Sequence, residues 1–159
     1  MQEVYLLLGS NLGEREEYLH KAAQLITERV GKVLQGSAFY QTAAWGITDQ
    51  PAYINQILLV GTELDASEVL INILRIEKEL GRERFQKWEA RVIDIDILFY
   101  SDLVINEAHL TIPHPHFEER RFAVEPMLEL APDFIHPVLK KTIKSIALEL
   151  TDNLSVERI

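Results

Sequence analysis

The sequence predicts an α+β fold with the element order strand, helix, strand, strand, helix, strand, followed by a C-terminal extension. Two observations support this prediction. Apolar residues recur at strand or helix spacing in six successive segments, ending near Tyr100. The chain of 159 residues also contains no internal repeat, low-complexity tract or Gly/Ser linker, so we expect a single domain over residues 1–159.

The strands are predicted from short apolar runs bounded by Gly, Pro or polar residues. The first run is apolar on both faces, which is typical of a strand covered on both sides. The predicted strands are Val4–Leu8, Lys32–Thr42, Tyr53–Leu64 and Val92–Tyr100.

The helices are predicted from apolar residues at helical spacing. In the first, the apolar positions fall between residues 19 and 30, and Gly31 is expected to end the helix. The second begins after a capping-box pattern of Asp65 and Glu68 and stops at Gly81. The resulting order is that of a ferredoxin-like βαββαβ core, in which helices pack on an antiparallel sheet.

The last third of the sequence is less regular. We expect a short hairpin followed by helical segments. Their predicted bounds are Leu103–Ile112 for the hairpin, and Phe117–Leu130 and Thr142–Leu150 for the helical segments.

Composition excludes several classes of function. The chain has no cysteine, which rules out disulfides, zinc–thiolate sites and thiol catalysis. The net charge of −9 disfavours general binding of nucleic acid. No apolar run approaches the ~20 residues of a membrane span, and the run near the N-terminus is too short for a signal peptide. We therefore expect a cytoplasmic protein.

Two aspartates interrupt the last predicted strand. Asp94 and Asp96 are two residues apart, so their side chains project from one face, which we expect to continue to Leu98 and Tyr100. At a separation of ~6.6 Å the two carboxylates repel by roughly 2–3 kcal/mol at an effective dielectric near 20. Bound Mg²⁺ would cancel this repulsion, and it is typically bound by one or two carboxylates with water and phosphates. The alternative is a half-exposed strand with two solvated aspartates.

A basic segment directly precedes the aspartates. Residues 81–91 contain four basic and two acidic side chains in an otherwise acidic protein. Arginine presents a planar set of donors that matches phosphate oxygens. The chain lacks the P-loop and Rossmann motifs, so phosphoryl chemistry would depend on metal ions and arginines. The alternative is a solvated loop whose arginines pair with nearby glutamates.

Two further segments carry candidate ligand residues. His114 and His116 lie on a proline-rich turn. His114 could touch a nucleotide phosphate, or both histidines could bind zinc together with the aspartates. In the segment from Thr42 to Asn55, an irregular loop brings together Trp45, Tyr53 and the Asn55 amide, which suit a flat heterocycle with a donor and acceptor edge. The same aromatic residues could instead simply pack on the sheet.

The ordered set of motifs resembles the 6-hydroxymethyl-7,8-dihydropterin pyrophosphokinase family from Val4 to about Pro137. The most specific element is the Arg-x-x-Asp-x-Asp segment with Pro-His downstream. The matching residues are Gly9-Ser10-Asn11-Leu12, Phe39-Tyr40-Gln41-Thr42, Asp49-Gln50-Pro51, Tyr53, Asn55, Arg75-Ile76-Glu77, Gly81-Arg82, Arg91, Asp94-Ile95-Asp96-Ile97, Leu110-Thr111-Ile112-Pro113-His114, Arg120 and Phe122.

This resemblance implies an enzyme that transfers the diphosphoryl group of ATP to the hydroxymethyl group of the pterin, giving AMP, in folate biosynthesis. It implies two Mg²⁺ ions bound by Asp94 and Asp96, with charge stabilisation by Arg82 and Arg91. The implied ATP-side residues are Glu77, Arg84, Trp88, Arg91, Ile97, Thr111, His114 and Arg120. The implied pterin-side residues are Thr42, Ala43, Trp45, Tyr53, Asn55 and Phe122.

Two other classes of function remain as alternatives. One is a ferredoxin-like module that binds RNA or a regulatory ligand, which the acidic charge and the missing RNP1 motif oppose. The other is a zinc hydrolase that uses His114, His116, Asp94 and Asp96. For the pyrophosphokinase we expect small-molecule substrates only, with no nucleic acid or membrane partner, and a monomer.

Overall fold

A computed structural model of the chain describes residues 1–11, 13–42, 52–81, 92–152 and 155–159. A 3₁₀ turn at Phe117–Glu119 precedes the third helix. The strands are β1 (Gln2–Ser10), β2 (Gly31–Gly36), β3 (Tyr40–Thr42), β4 (Tyr53–Thr62), β5 (Asp94–Tyr100), β6 (Ile105–Glu107), β7 (Leu110–Ile112) and β8 (Val156–Arg158). The helices are α1 (Arg15–Arg29), α2 (Ala66–Glu79), α3 (Arg121–Leu130) and α4 (Ile143–Leu148).

The main sheet is antiparallel throughout. Strand β1 lies between β5 and β4, and both β2 and β3 pair with the other edge of β4. The short strand β8 extends the sheet by pairing with β3, and β6 and β7 form a separate hairpin. The predicted ferredoxin-like core with an antiparallel sheet and a C-terminal extension is confirmed.

Helices cover both faces of this sheet. One apolar cluster joins Leu6 and Leu8 of β1 to α1 and α2. The other joins Tyr5 and Leu7 of the same strand to α3 and α4. The prediction that β1 is apolar on both faces is therefore confirmed, because each face packs against its own pair of helices.

At a bulge in β5, the alternation of its side chains between the two faces of the sheet is reversed. The register with β1 shifts between Tyr5 and Leu6, and Leu98 lies opposite no residue of β1. Beyond this point Leu98 and Phe99 both pack on the α3 and α4 side, whereas Tyr100 packs with α1 and α2. The expectation that Tyr100 shares the aspartate face was wrong, because the extra residue reverses the alternation.

The predicted strand over residues 32–42 is in fact two strands. Between them, Ser37 pairs with Ile57 through its backbone N–H, and its hydroxyl also accepts a hydrogen bond from the Ile57 N–H at 2.9 Å. The side-chain amide of Gln56 donates to the Ser37 carbonyl at 2.9 Å. Side-chain hydrogen bonds thus replace the regular ladder, so β2 and β3 are separate.

The helix boundaries follow the predicted signals with one difference. Asp65 and Glu68 form the predicted capping box, with N–H to carboxylate distances of 2.8 and 3.1 Å. Helix α1 ends at Arg29. Gly31, which was expected to end this helix, is the first residue of β2. A Cβ at Gly31 would overlap the Gly61 carbonyl, so this position needs glycine for close strand packing.

The last third agrees with the prediction in outline. The hairpin is confirmed, the first helical segment is a 3₁₀ turn followed by α3, and Thr142 caps α4 through a hydrogen bond from the Ser145 N–H. Strand β8 was not predicted, because its sequence is short and polar. Among the residues that the structure describes, no helix has the length and apolar character needed to cross a bilayer.

Candidate functional site

Strand register aligns three candidate site residues across the sheet. Gly9 of β1 lies opposite Asn55 of β4 on one side and opposite Asp94 of β5 on the other. In the next row on the same face, Leu7 lies opposite Asp96. The amide and the two carboxylates therefore share one face of the sheet, with a glycine between them.

A cavity of about 540 Å³ opens above this row. Its volume is in the range of small-molecule sites. Its walls come from β1, β3, β4, β5, the 3₁₀ turn, the start of α3 and the segment after α4. The lining residues are Leu7, Gly9, Thr42, Tyr53, Asn55, Asp94, Asp96, His116, Glu119, Arg120, Phe122, Thr151 and Asp152.

The floor of the cavity depends on the missing side chain of Gly9. A Cβ at this position would lie 2.6 Å from the Asn55 side-chain nitrogen and 3.9 Å from the Tyr53 ring. The same Asn55 nitrogen donates a hydrogen bond to the Leu8 carbonyl at 3.2 Å, which fixes the orientation of the buried amide. One polar edge of the amide is thus held at the bottom of the cavity.

The two aspartates are held by the edge strand β5. Both are half-buried, while Ile95 and Ile97 between and beside them are buried on the opposite face. The Ile95 N–H donates to the carboxylate of the buried Glu77 at 2.8 Å. Helix α2 therefore fixes β5 through Glu77, and the alternation of the strand directs Asp94 and Asp96 to the cavity.

Acidic side chains outnumber basic ones among the described residues that line the cavity. Among the described residues that line it, four carboxylates face one guanidinium, that of Arg120. This guanidinium lies 5.6 Å from the centre of the Phe122 ring, a cation–π distance. Cations bound beside these carboxylates would offset the charge of a polyanionic substrate.

The histidine turn lies at the edge of this site. His116 lines the cavity, and its backbone N–H donates to Nδ1 of His114 at 3.2 Å. Burial, followed by the charges of Arg120 and His116, lowers the pKa of His114 to about 4. His114 is therefore a neutral imidazole at physiological pH.

The structure brings some predicted site residues together and separates others. Thr42, Tyr53, Asn55, Asp94, Asp96, Arg120 and Phe122 line one cavity. Glu77, Ile97, Thr111 and His114 do not line it. Glu77 and Ile97 lie on the α2 side of β5, and Thr111 is exposed on β7. The predictions for Arg82, Arg84, Trp88, Arg91, Ala43 and Trp45 lie outside the described residues.

Sequence reasoning missed several residues of the cavity wall. His116 was considered only as a zinc ligand, and Gly9 only as part of a segment that matches the family. Glu119, Thr151 and Asp152 were not considered at all. A glycine after a strand was a usable signal for close approach of a ligand. For Thr151 and Asp152 only the path of the chain after α4 brings them to the site.

The donor set agrees with magnesium better than with zinc. Asp94 and Asp96 supply two oxygen ligands on one face, and magnesium usually completes its shell with water and substrate phosphates. Structural and catalytic zinc sites use three or four protein ligands. Among the described residues, no group of three His, Asp or Glu side chains could hold a metal ion, which gives the zinc hydrolase alternative no support.

The fold and the cavity define a ferredoxin-like α+β protein with an acidic small-molecule site. The profile of the 7,8-dihydro-6-hydroxymethylpterin-pyrophosphokinase (HPPK) family matches residues 5–132. The chain belongs to this family.

Individual relatives agree with this assignment. The chain is 42% identical, over 95% of its length and 94% of the relative's, to 2-amino-4-hydroxy-6-hydroxymethyldihydropteridine pyrophosphokinase of Aquifex aeolicus. It is 36% identical to the Haemophilus influenzae enzyme of the same name, over 92% of the chain and 94% of that enzyme. A crystal structure of a Plasmodium falciparum HPPK-DHPS mutant with pteroate shares the fold, with a TM-score of 0.76 and 17% identity over 93% of this chain and 43% of that one.

The predicted activity is therefore confirmed at the level of the family. The chain is a pterin pyrophosphokinase, a transferase of folate biosynthesis. Family membership favours this function over the RNA-binding module and the zinc hydrolase.

Proposed function

We propose that the cavity between β1, β4, β5 and α3 is where this chain joins magnesium-bound ATP to hydroxymethyl dihydropterin. The observation that carries the proposal is the position of Asp94 and Asp96 on the same cavity face as Asn55. Donor and acceptor would then meet over the sheet, with the phosphates near the carboxylates and the pterin near the amide.

The acceptor side would bind a flat, polar ring. Tyr53 and Phe122 both line the cavity and offer aromatic faces on which a pterin could stack. The Asn55 amide offers a donor and an acceptor to the ring edge. The buried Thr42 hydroxyl has no hydrogen-bond partner among the described residues, so a ligand could satisfy it.

On the donor side, Asp94 and Asp96 would be ligands of divalent cations. The resemblance to the family implies two such ions. Magnesium bound there would offset phosphate charge and polarise the phosphoryl oxygens. Arg120 would contact the nucleotide phosphates from the opposite wall. Arg82 and Arg91 are proposed to stabilise the charge that develops on the transferred diphosphoryl group.

In the proposed reaction, the hydroxymethyl oxygen of the pterin attacks the β-phosphorus of ATP in line with the departing AMP. A new oxygen–phosphorus bond forms to the pterin oxygen, which loses its proton. The bond between the β-phosphorus and the oxygen shared with the α-phosphate breaks, and AMP leaves with that oxygen. The chain supplies positioning and charge stabilisation, the main needs of phosphoryl transfer.

Chromatography of nucleotides tests the proposal. The protein is incubated with ATP, Mg²⁺ and hydroxymethyl dihydropterin, and also without pterin and with excess EDTA. We expect AMP to form only in the complete mixture. Its amount should equal that of the pterin diphosphate, because attack on the β-phosphorus transfers the diphosphoryl group and releases AMP. Release of ADP, or equal AMP formation without pterin, would contradict the proposal, and full activity in EDTA would contradict the metal requirement.

We further propose that residues 1–159 act as a single domain and as a monomer. The shared sheet that separates the two apolar clusters supports one domain. We also propose small-molecule substrates as the only ligands and a cytoplasmic location, which suits a step of folate biosynthesis.

A further inference from the structure

The segment after α4 returns to the cavity that α3 partly encloses. Thr151 and Asp152 line the cavity, although α4 itself packs on α3 away from the lining set. Asp152 is half-buried, whereas Thr151 is exposed.

Asp152 makes two hydrogen bonds to the first residue of α3. Its carboxylate accepts from the Arg121 N–H at 3.0 Å, and its backbone carbonyl accepts from Nε of Arg121 at 3.1 Å. The Arg121 guanidinium also contacts Glu125 one turn later at 3.0 Å. The side chain of Arg121 is thus held between α3 and the returning segment.

These contacts replace a cap that the helix itself lacks. The N-cap residue of α3 is Arg120, whose side chain forms no capping hydrogen bond. The first N–H groups of a helix need an external acceptor, and a carboxylate there is also favoured by the helix dipole. Asp152 supplies this acceptor from a distance of 31 residues along the chain.

The start of α3 carries two residues of the cavity wall. Arg120 and Phe122 flank Arg121 directly, and both face the cavity. A fixed Arg121 backbone therefore fixes the direction in which its two neighbours leave the helix start. Phe122 forms the aromatic wall on this side of the cavity, and Tyr53 forms one on β4.

The segment after α4 is also hydrogen-bonded to β3, which forms another wall of the cavity. In β8, Val156 lies opposite Thr42 of β3, and the Ile159 N–H donates to the Phe39 carbonyl at 2.9 Å. Thr42 lines the cavity as well. The chain after α4 is thus bonded both to the start of α3 and to β3, which carry residues of different walls.

We infer that Asp152 is a positioning residue of the acceptor site: it caps α3 from outside the helix and so holds Phe122 in the orientation that receives the pterin ring. This inference rests on the proposed function, because it assumes that the pterin stacks on Phe122. It differs from direct recognition, in which the charge of Asp152 would itself contact the substrate.

Two substitutions separate positioning from recognition. Asp152→Ala removes the acceptor, whereas Asp152→Asn keeps a side-chain oxygen that can accept from the Arg121 N–H but removes the charge. Asp133→Ala is the matched control, because Asp133 is an exposed aspartate in the turn after α3. Initial rates of AMP formation give the KM for pterin, the KM for ATP and kcat, and hydrogen exchange gives the protection of the Arg121 amide.

We expect Asp152→Ala to raise the KM for pterin about fivefold to tenfold, the factor that corresponds to the loss of a helix cap. The KM for ATP should rise as well, because Arg120 leaves the same helix start. Exchange at the Arg121 amide should accelerate by a similar factor. Asp152→Asn should stay within about twofold of the wild type in both measurements, and Asp133→Ala should match the wild type.

Two results would overturn the inference. One is a normal KM for pterin in Asp152→Ala. The other is an equal loss in Asp152→Asn and Asp152→Ala with unchanged protection of the Arg121 amide, which would indicate direct recognition by charge. Failure of the proposed function is a separate outcome, since the wild-type protein would then form no AMP.

Discussion

At the scale of single residues, the proposed acceptor side of the site requires a glycine, Gly9, which has no side chain. Gly9 lies between Asn55 and Asp94 in the sheet, and the Asn55 amide occupies the space that a Cβ would need. The hydrogen bond from Asn55 to the Leu8 carbonyl prevents the amide from moving freely. Glycine at this position is therefore a requirement of the site and not only of the turn that follows.

The variant Gly9→Ala tests this requirement. Its new methyl group would displace the Asn55 amide, break the bond to Leu8 and misplace the polar edge offered to the pterin. We expect pterin affinity, measured by calorimetry, to fall roughly tenfold or more. The control is Gly36→Ala in β2, where a Cβ would lie 3.3 Å from Leu58 and 3.4 Å from Gln56, neither of which lines the cavity. Equal pterin affinity in Gly9→Ala and the wild type would contradict this account.

His114 is a second residue whose environment has a measurable consequence. Burial, Arg120 and His116 lower its pKa to about 4 from an ordinary value near 6.5. As the pH falls below 6.5 the unfolded chain takes up a proton before the folded protein does, so this residue causes stability to be lost between about pH 6.5 and 4.

The prediction is that His114→Gln reduces the loss of stability on acidification. Urea unfolding at pH 7.5 and pH 5.0 measures the free energy of unfolding for the wild type and the variant. His109→Gln serves as the control, because His109 is exposed on the β6–β7 hairpin. The same difference between the two pH values in wild type and His114→Gln would show that the environment of His114 is misjudged.

At the scale of elements, α2 and β5 act as a pair. Helix α2 begins at the Asp65 and Glu68 capping box, and its Glu77 carboxylate accepts the Ile95 N–H of the edge strand. Glu77 was assigned to the nucleotide side by resemblance; whatever it contacts there, it also ties β5 to the helix. The position of Asp94 and Asp96 thus depends on α2 as well as on the sheet.

Removal of the cap should weaken the element without changing the site. We expect Asp65→Ala to cost about 1 kcal/mol of unfolding free energy and to lower the melting temperature by roughly 2–4 °C. Activity well below this temperature should be unchanged, since Asp65 lies at the far end of α2 from Glu77. Ser67→Ala, at an exposed position of the same first turn, is the control. An unchanged melting temperature in Asp65→Ala would contradict the role of the capping box.

Elements differ in how well the sequence predicts them. Period-two and helical patterns identified β1, β4, β5, α1 and α2, because each buries an apolar stripe. The break between β2 and β3 was missed, since it depends on Ser37 and Gln56 replacing ladder hydrogen bonds across the sheet. Strand β8 was missed because only its pairing with β3, and no local pattern, makes it a strand.

At the scale of the whole molecule, one sheet contributes side chains to two apolar cores. Strands β1, β4 and β5 contribute side chains to the apolar cluster under α1 and α2 and to the one under α3 and α4. Neither cluster can be lost without exposing one face of these strands. The two cores should therefore unfold together.

Two core substitutions test this cooperativity. Ile26→Ala removes buried volume from the first cluster, and Phe117→Ala from the second. Each should cost about 2–5 kcal/mol and shift one and the same transition, followed by calorimetry and by circular dichroism. Two separate transitions, with each variant shifting only one, would show that residues 1–159 contain two independent units.

The candidate site as a whole was only partly predictable. Asp94 and Asp96 carry a local signal, because aspartates are rare in an apolar strand. Tyr53 and Asn55 carry a weaker one, and their place in the site was predicted mainly by resemblance to the family. Glu119 and Asp152 reach the cavity only through the packing of the C-terminal extension on the sheet. Among the described lining residues, their side chains add two carboxylates to those of Asp94 and Asp96, which agrees with the proposed role of cations beside a polyanionic donor.

Asp94 and Asp96 together are proposed to form the cation site of the enzyme, and the variant Asp96→Asn tests this proposal. Asp96→Asn preserves side-chain size but removes one charge, so AMP formation with saturating Mg²⁺ and pterin should fall by at least about 10²–10³-fold. Pterin affinity and the melting temperature should remain near those of the wild type, and Asp102→Asn, at an exposed turn after β5, should be fully active. Near-normal AMP formation by Asp96→Asn would contradict the claim.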